Sequence, residues 1–272
     1  MSEKNQYSVI MYLKGFHEVE VGQKIANCEF GFEQENNQYF LSTIVTAESI
    51  EEAKRKGELR LNQVLSVFVI HTGITYPISG IHVNQISGKQ PFLYSSFMNL
   101  GRMTYLPISK EKIEEIGKSV ELLDKLPNQE RSTKRVDKAI NYFLRGCYLE
   151  TQWRSESFLN FYKAIELISH HFRGNFGQTI INQLRDTLLK DSTEKEIQEL
   201  PTPKRLIQFA CGQLGISDVC DISKIVTLRN QFGAHARLEE VTVSPEDFNN
   251  CKILVGRTIL KYANYIQTTK NA

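Results

Sequence analysis

Long apolar runs are missing from this chain. The longest, Val64 to Ile70, falls far short of the roughly 20 residues a membrane helix needs, so no membrane partner is expected. Paired cysteines are missing too. The five present, Cys28, Cys147, Cys211, Cys220 and Cys251, are odd in number and form no CxxC, which leaves little support for a disulfide framework or a structural zinc site. Reduced thiols in a cytoplasmic protein are the simple reading. The opening residues Met1 to Gln6 are polar and lack a signal core. Charge of one sign is scarce: the net value of +2 does not announce nucleic acid by bulk electrostatics, although a local basic patch remains compatible with it. The glycines are scattered, without a GxGxxG or Walker pattern to cradle phosphates. His17, His71 and His82 have no partners at ligand spacing, so neither a metal nor a cofactor is expected. There is no internal repeat and no low-complexity tract.

What is present is a chain built to fold. Its 272 residues suffice for one large domain or two ordinary ones, and 41% hydrophobic residues supply a core. The first half mixes strand and helix signals. Tyr7 to Leu13 is β-branched and aromatic, Cys28 to Phe32 alternates, Glu33 to Asn37 is a polar turn, and Tyr39 to Thr46 returns as a strand. Ser49-Ile50-Glu51-Glu52 is a capping box, opening a helix with apolar positions at Ile50, Ala53, Leu59, Leu61, Val64, Leu65 and Phe68. Gly57 leaves a gap in that stripe and Gly73 is its stop. Strand-like patches follow in Ile74 to Ile86 and Pro91 to Leu106, and Ser109 to Leu126 is a charged amphipathic helix ended by Pro127. Polar Asn128 to Lys134 is the candidate boundary.

From Arg135 onward the pattern is nearly all helix. Val136 to Leu149, Ser155 to Phe172 (stopped by Gly174) and Thr179 to Leu189 are amphipathic. Thr202-Pro203 caps a helix through Leu214 with Gly215 as its stop. Asp221 to Phe232 precedes a final helix, capped at Ser244-Pro245, with Phe248, Cys251, Val255, Ile259, Tyr262 and Ile266 on one face. The expected fold class is α+β: a small α+β domain over residues 1–127, then an all-α bundle over residues 133–268.

The stretch Val226 to Arg237 carries the chemistry. Arg229 is a permanent cation whose forked donors match phosphate oxygens. Asn230 follows it, and His235, able to titrate near neutrality, lies beyond five intervening residues. Arg237 offers a further phosphate contact. An arginine, a polar residue and a histidine at this spacing, in the penultimate helix, resemble the signature of the HEPN superfamily (higher eukaryotes and prokaryotes nucleotide-binding domains). The aromatic-rich segment Trp153 to Ile168 resembles the earlier helix of these bundles, and the likeness covers roughly Thr133 to Gln267. Membership implies a bundle of four to five helices and, in many relatives, a ribonuclease of bacterial defence, toxin or stress systems. It implies a homodimer through the C-terminal helices, with two dyads meeting at one site. The implied chemistry uses no metal: the RNA 2′-hydroxyl attacks the adjacent phosphate, leaving a 2′,3′-cyclic phosphate. Arg229 would then stabilise transition-state charge, His235 would act as general acid or base, and Asn230 would position the dyad or a phosphate oxygen. The first domain would sense, dose or tether, by way of a regulatory partner protein. Gly233-Ala234, just before the histidine, departs from the pattern and is expected to end the helix early.

Other readings stand beside this one. In a second-ranked reading Arg229 caps or salt-bridges a neighbouring helix, and His235 is a helix-end residue favoured by the dipole. A catalytically silent HEPN module for dimerisation or docking needs the same bundle. A small-molecule or nucleotide sensor, with its pocket in the first domain, ranks last. His170 and His171 point about 100° apart on a helix and do not converge on a metal. Trp153, Phe158, Phe161, Tyr162 and Phe172 read as core rather than as base-stacking platforms. Arg131, Lys134 and Arg135 read as a solvated linker, and Glu166 as a hydrogen-bonding residue inside the bundle.

Overall fold

The computed structural model describes residues 4–14, 22–33, 38–73, 78–86, 108–127, 130–150, 152–177, 203–216, 219–233 and 243–270. The architecture is α+β: an antiparallel sheet followed by a mostly helical C-terminal region. The chain divides into two compact units between Asp124 and Lys125.

In the first unit β1 (Asn5–Leu13), β2 (Lys24–Ile25), β3 (Cys28–Glu33), β4 (Gln38–Ala47) and β5 (Ile78–Gln85) form a sheet of order β2-β3-β4-β1-β5. β1 pairs antiparallel with β4, from Asn5 opposite Ala47 to Leu13 opposite Tyr39. The β2–β3 turn carries Ala26 and Asn27 at φ 47° and 66°, the left-handed geometry of a tight hairpin. α1 (Ile50–Thr72) packs on the sheet. Its start follows the capping box: the Glu52 N–H donates to Ser49 Oγ at 3.1 Å, while the Glu52 carboxylate accepts from the Glu48 N–H at 2.8 Å, one residue before the cap. Its stop is Gly73, at φ 75°, donating to the Val69 carbonyl. Gly57 is a contact point rather than a gap. A side chain there would run into Val9 of β1, so glycine is what lets helix and sheet approach. Leu59 and Ile50 are exposed instead, at 43% and 53%. α2 (Lys110–Asp124) packs on α1, with Ile116, Val120 and Leu123 buried. The predicted turn at residues 34–37 and the predicted strands in Pro91 to Leu106 lie outside the described residues.

The second unit contains α3 (Arg131–Leu149), α4 (Arg154–Ser169), α5 (Pro203–Gln213), α6 (Val219–Gly233) and α7 (Pro245–Lys270). Arg131, Lys134 and Arg135, read from sequence as linker, form the first turns of α3. The predicted apolar stripes are buried: Val136, Ile140, Phe143, Leu144 and Cys147 on α3, and Phe158, Phe161, Ile165 and Ile168 on α4. Gly146 lets the two helices close up, because a side chain there would meet Phe161 at 2.5 Å. Phe161 also touches Phe248 of α7, with ring centroids 5.4 Å apart, so one aromatic links three helices. Trp153 is the aromatic that departs from expectation. It stands before the first turn of α4 and is 58% exposed, outside the stripe that the following residues bury. Gly174 does not stop the chain's helical path, which passes through a 3-10 turn at His170–Phe172 and continues to residue 177. The predicted helix Thr179 to Leu189 lies outside the described residues.

Candidate functional site

Arg229 reaches its place through the packing of α6. Ile225 and Val226 are buried, whereas Thr227 and Asn230 face solvent. Arg229 falls on the border of the buried face and is half-buried. Its guanidinium carbon lies 5.5 Å from the ring centroid of Tyr162 on α4, within cation–π range. Tyr162 is only 2% exposed, so it is a fixed platform rather than a mobile surface ring. One guanidinium N–H donates to the Asn230 side-chain amide oxygen at 3.3 Å, a long bond that orients more than it binds. Among the described residues no carboxylate forms an ion pair with Arg229. The cation therefore rests over an aromatic ring and, among the described residues, keeps donors for an incoming oxyanion.

Tyr162 brings chemistry that sequence reading assigned only to the core. Its hydroxyl is buried and makes no hydrogen bond among the described residues. Burial first, and Glu166 second, push the phenol up to about 12, against the opposing pull of Arg229. Tyr162 and Glu166 are four residues apart on α4 and share one face, so Glu166 and Arg229 act on the same hydroxyl from two helices. The i, i+4 spacing was visible in the sequence. The approach of α6 to that face was not, since it depends on a packing between distant segments.

The structure thus brings together Arg229, Asn230, Tyr162 and the neighbourhood of Glu166. His235 and Arg237 lie outside the described residues. α6 carries helix through Gly233, one residue past the predicted end at Phe232. The start of α7 is tied to α6 by Lys224, whose ammonium pairs with Asp247 at 2.5 Å. Burial raises the Asp247 pKa and the Lys224 and Ser244 hydrogen bonds lower it, with the net balance below the usual carboxylate value. Ser244 accepts from the Asp247 N–H at 3.1 Å, the predicted cap of the last helix. These contacts join α6 to the start of α7.

Cys28, Cys147, Cys211 and Cys251 are buried and form no disulfide among the described residues. Burial pushes the Cys211 thiol up to about 12, which suits packing rather than nucleophilic attack. Among the described residues no three His, Cys, Asp or Glu side chains gather as a metal would require. Among those residues, too, no helix is long and apolar enough to cross a membrane. No protein-family profile, no curated protein and no solved structure matches the chain.

Proposed function

We propose that the protein is a HEPN-type endoribonuclease that cleaves RNA by attack of the 2′-hydroxyl on the adjacent phosphate. One observation carries the reading: Arg229, the arginine of the motif, is seated on the buried ring of Tyr162 with no carboxylate partner among the described residues. An arginine recruited for stability usually ends on an acid or a backbone carbonyl. This one rests on a ring and, apart from its bond to Asn230, keeps its donors available among the described residues. In the reaction its N–H donors meet the charge that builds on the phosphorane oxygens. His235 moves the proton, taking it from the 2′-hydroxyl or giving it to the leaving 5′-oxygen. Asn230 steadies the guanidinium through its side-chain carbonyl. The active species is a homodimer in which two dyads face one RNA, in the cytoplasm, under the control of a partner acting through the first unit. The alternative, a silent HEPN module, draws on the same stacking, since a cation–π contact stabilises a bundle whether or not RNA binds.

The test is the chemistry of the ends. Protein incubated with RNA in EDTA should leave 2′,3′-cyclic phosphate and 5′-hydroxyl termini, and the active fraction should sediment as a dimer. Termini bearing 5′-phosphate, or cleavage that requires added magnesium or manganese, would replace this mechanism with attack by water at a different site.

A further inference from the structure

A second polar cluster lies at one end of the helical unit, built from three elements distant in sequence. Arg135 projects from the first turns of α3, His171 from the 3-10 turn after α4, and Tyr262 and Tyr265 from the last turns of α7. An Arg135 guanidinium nitrogen stands 3.2 Å from His171 Nδ1. A guanidinium can only donate, so Nδ1 is the accepting nitrogen and the proton of the neutral imidazole sits on Nε2. The ring is clamped edge-on by three aromatics, with centroids 5.0 Å from Phe172, 5.2 Å from Tyr262 and 6.0 Å from Tyr265. The Tyr262 hydroxyl is buried and completes no well-formed hydrogen bond among the described residues. Burial raises that phenol's pKa, while a hydrogen-bonding approach by Arg135, and then its charge, lower it and Tyr265 raises it further.

Every polar group of this cluster has a proton to offer: the guanidinium fork, the imidazole Nε2–H and two phenols. Among the described residues no carboxylate pairs with Arg135. Arg135, His171 and Tyr265 are half-buried, so the cluster meets solvent. Donors converging around a half-buried cation, with a buried hydroxyl behind them, suit an acceptor with several oxygens. We propose that Arg135, His171, Tyr262 and Tyr265 form a binding site for a phosphate group, distinct from the Arg229 site. Arg135 holds the phosphate through the N–H donors that His171 and Tyr262 leave to it, His171 Nε2–H takes a further oxygen, and the tyrosine hydroxyls close the site. Burial, then Arg135, hold the imidazole below its ordinary pKa, a bias that a bound phosphate would offset. Tyr162 and His171 stand nine residues apart along the helical path, an axial rise of roughly 13.5 Å at 1.5 Å per residue. The proposal does not depend on cleavage at Arg229.

The experiment follows the imidazole signals of the full chain carrying isotope-labelled histidine, with His171 assigned by its loss in His171→Gln. Three probes are titrated: inorganic phosphate, adenosine 5′-monophosphate, and a 2′-O-methyl RNA tetramer without terminal phosphate. Sodium chloride at matched ionic strength is the reference. The expected result is a saturable shift of the His171 signal with phosphate and none with chloride. Arg135→Gln should weaken binding by about tenfold or more, as loss of a charge-assisted pair does, and Tyr262→Phe by a few-fold. Tightest binding by the mononucleotide would identify a terminal phosphate as the ligand, and tightest binding by the tetramer an internal phosphodiester. A shift that chloride reproduces, or an Arg135→Gln titration equal to wild type, would overturn the site. Should Arg135→Gln fail to fold, Tyr262→Phe alone decides, with unchanged affinity counting as refutation.

Discussion

Arg229 and Tyr162 show how one residue's role is set by another that the sequence keeps 67 positions away. Read alone, a solvent-facing arginine costs little when removed. Seated on a buried ring, it contributes about 0.5–2 kcal/mol, depending on how far the contact is desolvated. Tyr162 itself carries a buried hydroxyl with no hydrogen bond among the described residues, a group that costs about 1–3 kcal/mol when left unsatisfied. Tyr162→Phe keeps the platform and removes that cost. Its melting temperature should therefore match or exceed wild type by calorimetry, and cleavage should persist; a fall of several degrees would show that the hydroxyl has a partner that matters. Arg229 and Asn230 were legible in the sequence because they are neighbours and their chemistry is their own. Tyr162 and the Arg135–His171 contact were not. The latter joins residues 36 positions apart, and nothing in their spacing encodes the meeting.

At the scale of elements, most local signals read true, the stop expected at Gly174 being an exception, and tertiary ones did not. Ser49, Gly73 and Ser244 act through hydrogen bonds to residues within four positions, so their roles are written in adjacent sequence. The stripes of α3, α4 and α7 obey a period and are buried as that period requires. Gly57 and Trp153 escaped because their environments come from other parts of the fold. Two glycine substitutions separate these influences. Gly117→Ala on α2 meets nothing within 4 Å, so the gain in helix propensity should stabilise by about 0.5–1 kcal/mol. Gly57→Ala offers the same propensity gain but drives a methyl group into Val9, and should destabilise by about 1–3 kcal/mol. Denaturant titration of the two variants reads both signs; a stabilised Gly57→Ala would mean that α1 and β1 can move apart freely.

For the molecule as a whole, each compact unit carries an imidazole with the same bias. Burial, then Lys112, hold His71 below its ordinary value against the opposing Glu115. Burial, then Arg135, do the same to His171. Because the folded values lie below the unfolded ones, the unfolded chain takes up protons first as acid is added. Stability is thus full above about pH 6.5 and declines as pH falls through the folded values. Thermal melts from pH 7.5 to 5 should show this decline, and His71→Gln should flatten it for the first unit alone. A melting temperature that is flat across that range in wild type would remove the inferred bias.

The central claim, that Arg229 and His235 form a working dyad, is tested most directly by measuring cleavage and melting together on Arg229→Ala and His235→Ala. The account predicts that cleavage falls by roughly 10²–10³-fold for the charge-stabilising arginine and by roughly 10²–10⁴-fold for the proton-moving histidine. Melting should shift by a few degrees at most for Arg229→Ala, through the lost contact with Tyr162, and hardly at all for His235→Ala. A His235→Ala protein that melts several degrees lower and still cuts RNA at the wild-type rate would contradict the account and make the dyad scaffolding.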